Sequence, residues 1–510
     1  MKVLLVNPPY QTYTSNLGVG HQVPLGLLMV GGPLLDAGHD VRLLDAECLH
    51  LTSSAIAEAA QVWGAEVVMT GHAGSTPAHP DCVATMTAVK RALPGATTVY
   101  GGVFPSYHAE SVLATVPGVD VVVRGEGEAT ALALVEALAS RVAASRASAL
   151  SGIAGITHRD GGRIVTNADR PPERDLDRFR VGWELVEDWD RHRCFGLGRA
   201  AIVQFSRGCP FRCTYCGQHA FWVKWRHRDP LRLAAEIEWL HRQHGVGFVT
   251  LADENPTTLQ RPWADFLEAL ASRRLPVRLF ATIRATEIVR DRELLPLYAQ
   301  AGLLYVLMGV DSTDEEVLRT VDKRSTPRDD LLACRLLQEH GIYSILGHVV
   351  GFREESWGTL WRALRRLNRY GGDYLNAMYA TPHDWTPFGR EATAAMGVIE
   401  PDLGRWDYRH PVLAQRRLAP ATLGLAVKLM ELLFHLHPRR LARTLLDRER
   451  FRRRQARWTL LHTGAVWAAE AWEMVRDAFG GRWRGAVRQV ARPQQDVQAG
   501  ESRKAFTASA

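Results

Sequence analysis

The chain has 510 residues, 46% of them hydrophobic and 23% charged, which describes globular domains and asks for about three of them. Its net charge of +7 is carried almost wholly by arginine; the lysines are Lys2, Lys90, Lys224, Lys323, Lys428 and Lys504. This charge is not gathered with aromatics on one element, which argues against a nucleic-acid footprint, and no apolar run approaches the roughly 20 residues of a membrane span.

The start, MKVLLVNPP, ends in a double proline and reads as a buried strand, not a leader. Residues 1–141 alternate strand-like runs (KVLLVNPP, DVRLLDAE, EVVMTGHA, TTVYGG, VDVVVRGEGE) with helical stretches such as PDCVATMTAVKRAL. Five β-α repeats predict a doubly wound, Rossmann-like parallel sheet. Its strands are apolar without alternation, as expected when both faces are covered. Residues 142–199 read as a connector, with a β-hairpin turning at Asp160-Gly161-Gly162 and an extended RPPERDLD linker.

A second β-α series begins at residue 200, with strands expected at 200–206, 247–252, 277–283, 304–310, 342–350 and 373–380. Six units are too few for a closed eight-stranded barrel and suit a partial (β/α)6 barrel over 200–394. In such folds chemistry sits at the carboxyl ends of the strands. Residues 395–485 turn to helices, and 486–510 are polar and expected to be disordered. The densest basic run, RERFRRRQAR at 448–457, reads as a solvated helix face, with a peripheral membrane contact as the alternative.

The loop after the first strand of the second series, FSRGCPFRCTYCGQ, holds Cys209, Cys213 and Cys216 in C-x3-C-x2-C spacing. Cys48, Cys82, Cys194 and Cys334 are scattered, without a disulfide framework, which fits a reducing cytoplasm. Thiolates suit zinc or iron–sulfur clusters. His219 could complete a zinc site, but three thiolates on one loop better suit a [4Fe–4S] cluster whose fourth iron is open to a small molecule.

With Tyr215 before its last cysteine, this loop resembles the signature of the radical S-adenosylmethionine (SAM) superfamily. The resemblance implies that the amino and carboxylate groups of SAM bind the open iron, and that one electron cleaves the sulfonium to methionine and a 5′-deoxyadenosyl radical. Later motifs are similar to that family's SAM contacts. In LADEN (251–255), Asp253 and Glu254 would accept from the SAM ammonium, although the family form is usually glycine-rich. In GVDS (309–312), Asp311 would reach the ribose. GHVVGFREE (347–355) follows the G-x-I-x-G-x-x-E pattern with Val349 in the isoleucine place, so Gly347 and Gly351 would admit the adenine.

A doubly wound domain ahead of such a barrel resembles a cobalamin-binding domain. Its expected contacts are Gly71, His72, Gly74, Ser75 and Thr76; Gly101 and Gly102; and Gly125, Glu126, Gly127 and Glu128. The D-x-H-x-x-G motif that puts a histidine on cobalt elsewhere is absent, so cobalt is expected to carry no protein imidazole.

Longer stretches (227–257, 284–313 and 376–389) are similar to the anaerobic magnesium-protoporphyrin IX monomethyl ester oxidative cyclases. That family closes the fifth ring of bacteriochlorophyll by oxidising a propionate ester side chain to a ketone, with oxygen from water. The resemblance implies SAM, a [4Fe–4S] cluster, cobalamin, a tetrapyrrole substrate and a reductant such as ferredoxin or flavodoxin. Aromatics and cations near the cluster loop and the sixth strand would line the cleft: Phe221, Trp222, Trp225, Arg226, Tyr379, Trp385 and Phe388, with His383 as a candidate magnesium ligand. A cobalamin-dependent radical SAM methylase with the same cofactors is the alternative reading, and a cobalamin- or tetrapyrrole-binding sensor a further one. The chain has no pair of E-x-x-H helices of the di-iron type that could activate dioxygen.

Overall fold

The computed structural model describes residues 1–11, 15, 19–72, 76–140, 149–218, 220–446 and 450–480. Gly74, Ser75, His219 and the expected tail at 486–510 lie outside the described residues.

The first sheet has seven strands in the order β2-β1-β3-β4-β5-β6-β7: β1 (Lys2–Asn7), β2 (Asp40–Asp45), β3 (Val67–His72), β4 (Thr97–Gly102), β5 (Val121–Val123), β6 (Ile156–Asp160) and β7 (Arg163–Thr166). The pairs among β1 to β5 are parallel. Side chains alternate faces with a period of two. Val3, Leu5, Val67, Met69, Val99 and Val121 therefore enter one buried cluster, and Leu4, Val6, Val68, Tyr100 and Val122 enter another on the opposite face. Both faces are covered, as the unbroken apolar strands require. The hairpin predicted in the connector forms with Gly161 and Gly162 both at positive φ (52° and 87°), the geometry of a two-residue turn. It is no free-standing connector: β6 pairs antiparallel with β5, so the first sheet extends to Thr166.

The second sheet is entirely parallel and in sequence order, β8-β11-β12-β13-β14-β15. Its strands are β8 (Ala200–Val203), β11 (Phe248–Leu251), β12 (Arg278–Thr282), β13 (Leu303–Asp311), β14 (Tyr343–Val350) and β15 (Tyr374–Tyr379). β8 and β15 do not pair, which leaves the expected opening. Its helices start on side-chain caps: Asp229 accepts from Leu231 and Arg232 N–H, and both Thr326 and Ser356 build capping boxes.

The helical tail does more than add mass. Phe248, Tyr305, Tyr343 and Tyr374 cluster near the amino ends of the barrel strands, and Phe451 and Trp458 from the helix Arg450–Phe479 pack onto them. Tyr343 Oη donates to Arg452 O at 2.9 Å, and Gln455 Nε2 to Phe195 O at 2.7 Å. One end of the barrel is thus plugged with aromatics, leaving the carboxyl ends for chemistry.

Candidate active site at the carboxyl ends of the barrel strands

The three cysteines sit on a loop closed at its base by a two-stranded ribbon, β9 (Ser206–Arg207) against β10 (Arg226–His227). Gly208 makes the closure feasible: its φ is +93°, and a Cβ there would meet Lys224 O at 2.7 Å. Inside the loop, Cys216 N–H donates to Cys213 O at 3.1 Å, and Thr214 N–H to Val321 O at 3.1 Å. Burial raises the Cys209 thiol and pushes the Cys216 thiol up to about 12, so loading with iron must displace protons. Arg284, at the end of β12, supplies the opposing charge. Its guanidinium lies 3.6 Å from the Phe211 ring centre and 3.9 Å from Cys213 Sγ, and its Nε is buried without a partner.

The strand ends around the loop carry the SAM candidates. Glu254, after β11, has a buried Oε2 with no hydrogen-bond partner, and burial raises its carboxyl to about 7. It faces the loop closely enough to raise Cys216. Asp253 departs from its expected role. Its carboxylate accepts from Phe205 N–H at 3.0 Å, from Ser206 N–H and from Ser206 Oγ at 2.5 Å. That ties β11 to the turn leading into the cysteine loop, and leaves Asp253 a positioning residue.

Asp311 ends β13 at a bulge, with a left-handed φ of 57°. A non-glycine residue held there is strained, and such strain gathers at functional sites. Tyr215 Oη donates to its carboxylate, and Lys323 pairs with the same oxygen. Tyr215 therefore contacts Asp311 directly, joining two residues 96 positions apart. Gly347 on β14 lies beside this group, where a Cβ would press on Met378 Cε at 3.2 Å. Gly351 has φ +86° and accepts at its carbonyl from Gln415. His348 is buried, its Nδ1 has no partner, and burial lowers it to about 4, so it is neutral. Arg284, Lys323 and His348 were not singled out from sequence. Arg284 and His348 share a signal of position, at or near the end of a barrel strand; Lys323 follows the short helix Glu315–Thr320 and carries no such signal.

The substrate candidates fare differently. His383 is held at both ring nitrogens, by Thr76 Oγ1 at 2.9 Å and Tyr408 Oη at 2.8 Å. It has no nitrogen left for magnesium. Trp385 has both indole faces covered, by Tyr107 at 4.9 Å and His383 at 4.7 Å, and its Nε1 donates to Gly217 O in the cluster loop. Trp225 Nε1 donates to Asn255 O, and Arg226 pairs with Glu126 at 2.7 Å. Phe388 donates its N–H to Thr214 O. His383, Trp385 and Trp225 are thus tied into the junction by their polar atoms, while Arg226 keeps Nη2 buried without a partner. Tyr379 keeps a buried hydroxyl without a partner; the Trp222 indole lies against the Glu254 carboxyl, and Phe221 packs edge-on to Trp222.

The first sheet faces the same space through Thr76, Tyr107 and the loop after β5. Several of the residues read as cobalamin contacts are used for architecture. Gly71 and Gly102 allow β3 and β4 to approach: a Cβ would meet Gly101 O at 2.7 Å or His72 O at 2.8 Å. Gly101 meets only Val123, at ordinary contact distance, and Gly125, at φ +71°, faces open space. Gly127 precedes the helix Glu128–Ala139. Glu126 and Glu128 both pair with the buried Arg207 of β9. His72 packs edge-on to Tyr10, and burial keeps it neutral. Of these residues, Gly101 and Gly125 keep space beside them for a large ligand, whereas Thr76 is buried with its hydroxyl on His383.

The donor set fits the expected cofactors. Three cysteines share one loop, the Arg284 guanidinium lies against Cys213, and Glu254 faces Cys216 with an unpartnered oxygen.

Comparison with known proteins agrees. Residues 203–367 match the radical SAM superfamily and residues 18–135 the B12 binding domain. The cobalamin-dependent SAM radical enzyme OxsB superposes with a TM-score of 0.67 at 15% identity, over 96% of this chain and 83% of its own. The methyltransferase TsrM from Kitasatospora setae, with cobalamin and [4Fe-4S] cluster bound, gives 0.62 at 19% identity, over 78% of this chain and 76% of its own. The anaerobic magnesium-protoporphyrin IX monomethyl ester cyclase of Synechocystis is 42% identical over 90% of this chain and 91% of its own. Its counterpart from Cereibacter sphaeroides is 31% identical over 83% and 68%. At 42% identity over nine-tenths of both chains, with the radical SAM and B12 binding domains both in place, the chain belongs to the family of anaerobic magnesium-protoporphyrin IX monomethyl ester cyclases.

Proposed function

We infer that this chain is a radical SAM oxidative cyclase that forms the isocyclic fifth ring of the (bacterio)chlorophyll skeleton from magnesium-protoporphyrin IX monomethyl ester. The observation that carries this is the likeness to cyclases across nine-tenths of the chain, with both cofactor domains in place. Bound [4Fe–4S] cluster, SAM and cobalamin supply hydrogen-atom abstraction and electron transfer, which no side chain can provide at an unactivated propionate carbon.

The chain's own residues prepare that chemistry. Cys209, Cys213 and Cys216 hold the cluster, and Arg284 offsets their negative charge. We propose that Glu254 accepts from the SAM ammonium, and that Asp311, fixed between Tyr215 and Lys323, orients the ribose. The Tyr107–Trp385–His383 stack, tied to the cluster loop through Gly217, excludes water at the domain junction. His383 stays uncharged there, since burial lowers it to about 4. Tyr379 is the substrate contact that keeps a free polar atom, with the Trp222 indole beside Glu254.

The ketone oxygen is proposed to come from water. Among the described residues no helix is long and apolar enough to cross a membrane. Trp357 and Trp361 on one helix and Leu425, Leu429 and Leu433 on another are exposed, which supports a peripheral contact with a membrane surface. An electron donor of the ferredoxin or flavodoxin type completes the proposal.

The test is anaerobic turnover in oxygen-18 water with methyl-deuterated SAM. Label in a ring ketone and no added deuteromethyl is the expected result. A deuteromethyl on carbon without a new ring would instead make the chain a methylase, the activity named for several more distant relatives such as the hopanoid C-3 methylase of Methylococcus capsulatus, 26% identical.

A further inference from the structure

At the edge of the first sheet farthest from the hairpin, four metal-binding side chains converge from three separate segments. His21 precedes the helix Leu25–Asp36, Asp45 and Cys48 follow β2, and His192 lies in the connector ahead of β8. One ligand atom from each lies within 4.8 Å of all the others. We propose that His21, Asp45, Cys48 and His192 form a structural zinc site that clamps the first sheet to the connector leading into the barrel.

The donor set is two imidazoles, a carboxylate and a thiol, a combination suited to tetrahedral zinc. Ligand atoms around zinc sit about 3.5 Å apart, so the cluster needs to draw in by about 1 Å. Each donor is already oriented by a neighbour. His21 Nε2 points at Asp45 Oδ2, 3.0 Å away, while its Nδ1 faces Glu47 Oε1 at 3.7 Å. A ligating histidine usually has such a carboxylate behind its second nitrogen. The other oxygen of Asp45 accepts from Asn7 Nδ2 at 2.7 Å and from Cys48 N–H at 3.2 Å. That leaves Oδ2 as the carboxylate atom turned to the cluster.

His192 provides the independent sign of a missing ligand. The residue is 5% exposed, its ring stacks on His21 at 5.2 Å, and its Nδ1 is buried without a hydrogen-bond partner. An orphaned imidazole nitrogen in a buried polar cluster costs stability unless something occupies it. The surrounding backbone is knit across the same seam: Gly20 bridges Cys194, His21 N–H donates to Arg193 O at 3.1 Å, and Phe195 N–H to Val19 O at 2.6 Å. A cation here would lock that seam. The competing occupant is a proton on His21, balanced by Asp45 and Glu47.

The test uses the full chain with its iron–sulfur cluster assembled anaerobically, so that Cys209, Cys213 and Cys216 are already taken. The protein is equilibrated with zinc in a competing chelator buffer, desalted, and its zinc and iron are measured by mass spectrometry. The expected result is about one zinc per chain beside a full iron complement. Cys48→Ser and, separately, His192→Gln should weaken zinc binding by about 10–100-fold with iron unchanged. Cobalt(II) in place of zinc should show a near-ultraviolet thiolate band that Cys48→Ser removes. Iron content reports on folding, so a variant that loses iron as well is replaced in the comparison by the other. Zinc absent from the wild-type protein, or equally bound in both variants, overturns the site.

Discussion

Glu254, after β11, and Glu126, after β5, are both buried carboxylates in strand-end loops facing one junction. Glu126 is ion-paired with Arg207 and Arg226, whereas among the described residues Glu254 has no cationic partner: the Trp222 indole and the Gly208 N–H approach its buried carboxyl. The same contrast runs through the two sheets. Around the cysteine loop, Arg284 and His348 hold buried nitrogens without partners, while at the first sheet Glu126, Glu128 and Asp120 are held in ion pairs with Arg207, Arg226 and Lys90 and the glycines let strands approach. Buried polar groups left unmatched are expensive, so they mark where a ligand completes the structure; matched ones mark architecture.

The largest effect that sharpens this contrast is at the cysteines. Cys209→Ala, Cys213→Ala or Cys216→Ala should each reduce SAM cleavage to background, because two thiolates leave a second iron without a protein ligand. Iron and sulfide content with 5′-deoxyadenosine yield measures it, and a variant that kept a full cluster and cleaved SAM would break the assignment. Next comes Arg207→Met, which strands Glu128 and leaves Glu126 with Arg226 alone. It should cost about 3–5 kcal/mol of stability by denaturant unfolding. Cobalamin affinity of the protein that remains folded should change little; a large loss would turn this ion-pair cluster from architecture into a binding site.

A smaller effect separates Glu254 from its satisfied counterparts. Its carboxyl is raised to about 7 by burial, so it is neutral when acidic and charged when basic. A SAM ammonium favours the charged form, so SAM affinity should rise about tenfold from pH 6 to pH 8 and then level off. Glu254→Gln should flatten that rise; an unchanged profile moves the role elsewhere. The sign for stability is opposite. With its folded value above the unfolded one, Glu254 favours the ligand-free fold fully below about pH 4, and that contribution is lost as the pH climbs through about 7. The smallest effect is at His72: His72→Ala should leave the cobalt(II) resonance of bound cobalamin unchanged, without imidazole nitrogen splitting in either protein. Splitting that disappears in the variant would make His72 the cobalt ligand.

Local pattern was enough for much of this. Strand periodicity located all six barrel strands to within about three residues, because burial on both faces leaves an unbroken apolar run. The cysteine triad was legible because all three residues lie within one loop, and Tyr215 and Asp311, which the fold brings into contact, were named from motifs. What the side chains touch was not legible. His383, Trp385 and Arg226 read as ligand contacts from their chemistry, yet each is matched by a partner far along the chain: Thr76, Tyr107 and Glu126. Asp253 and Glu254 are neighbours in sequence, and only packing shows that one is spent on the backbone of Phe205 and Ser206 while the other faces the cysteine loop with one oxygen unpartnered. The meeting of His21 and His192 depends on how the first sheet docks against the connector. Periodicity and loop motifs are set by neighbours within a few residues, whereas the pairing of a buried polar group is set by whichever distant element the fold brings against it.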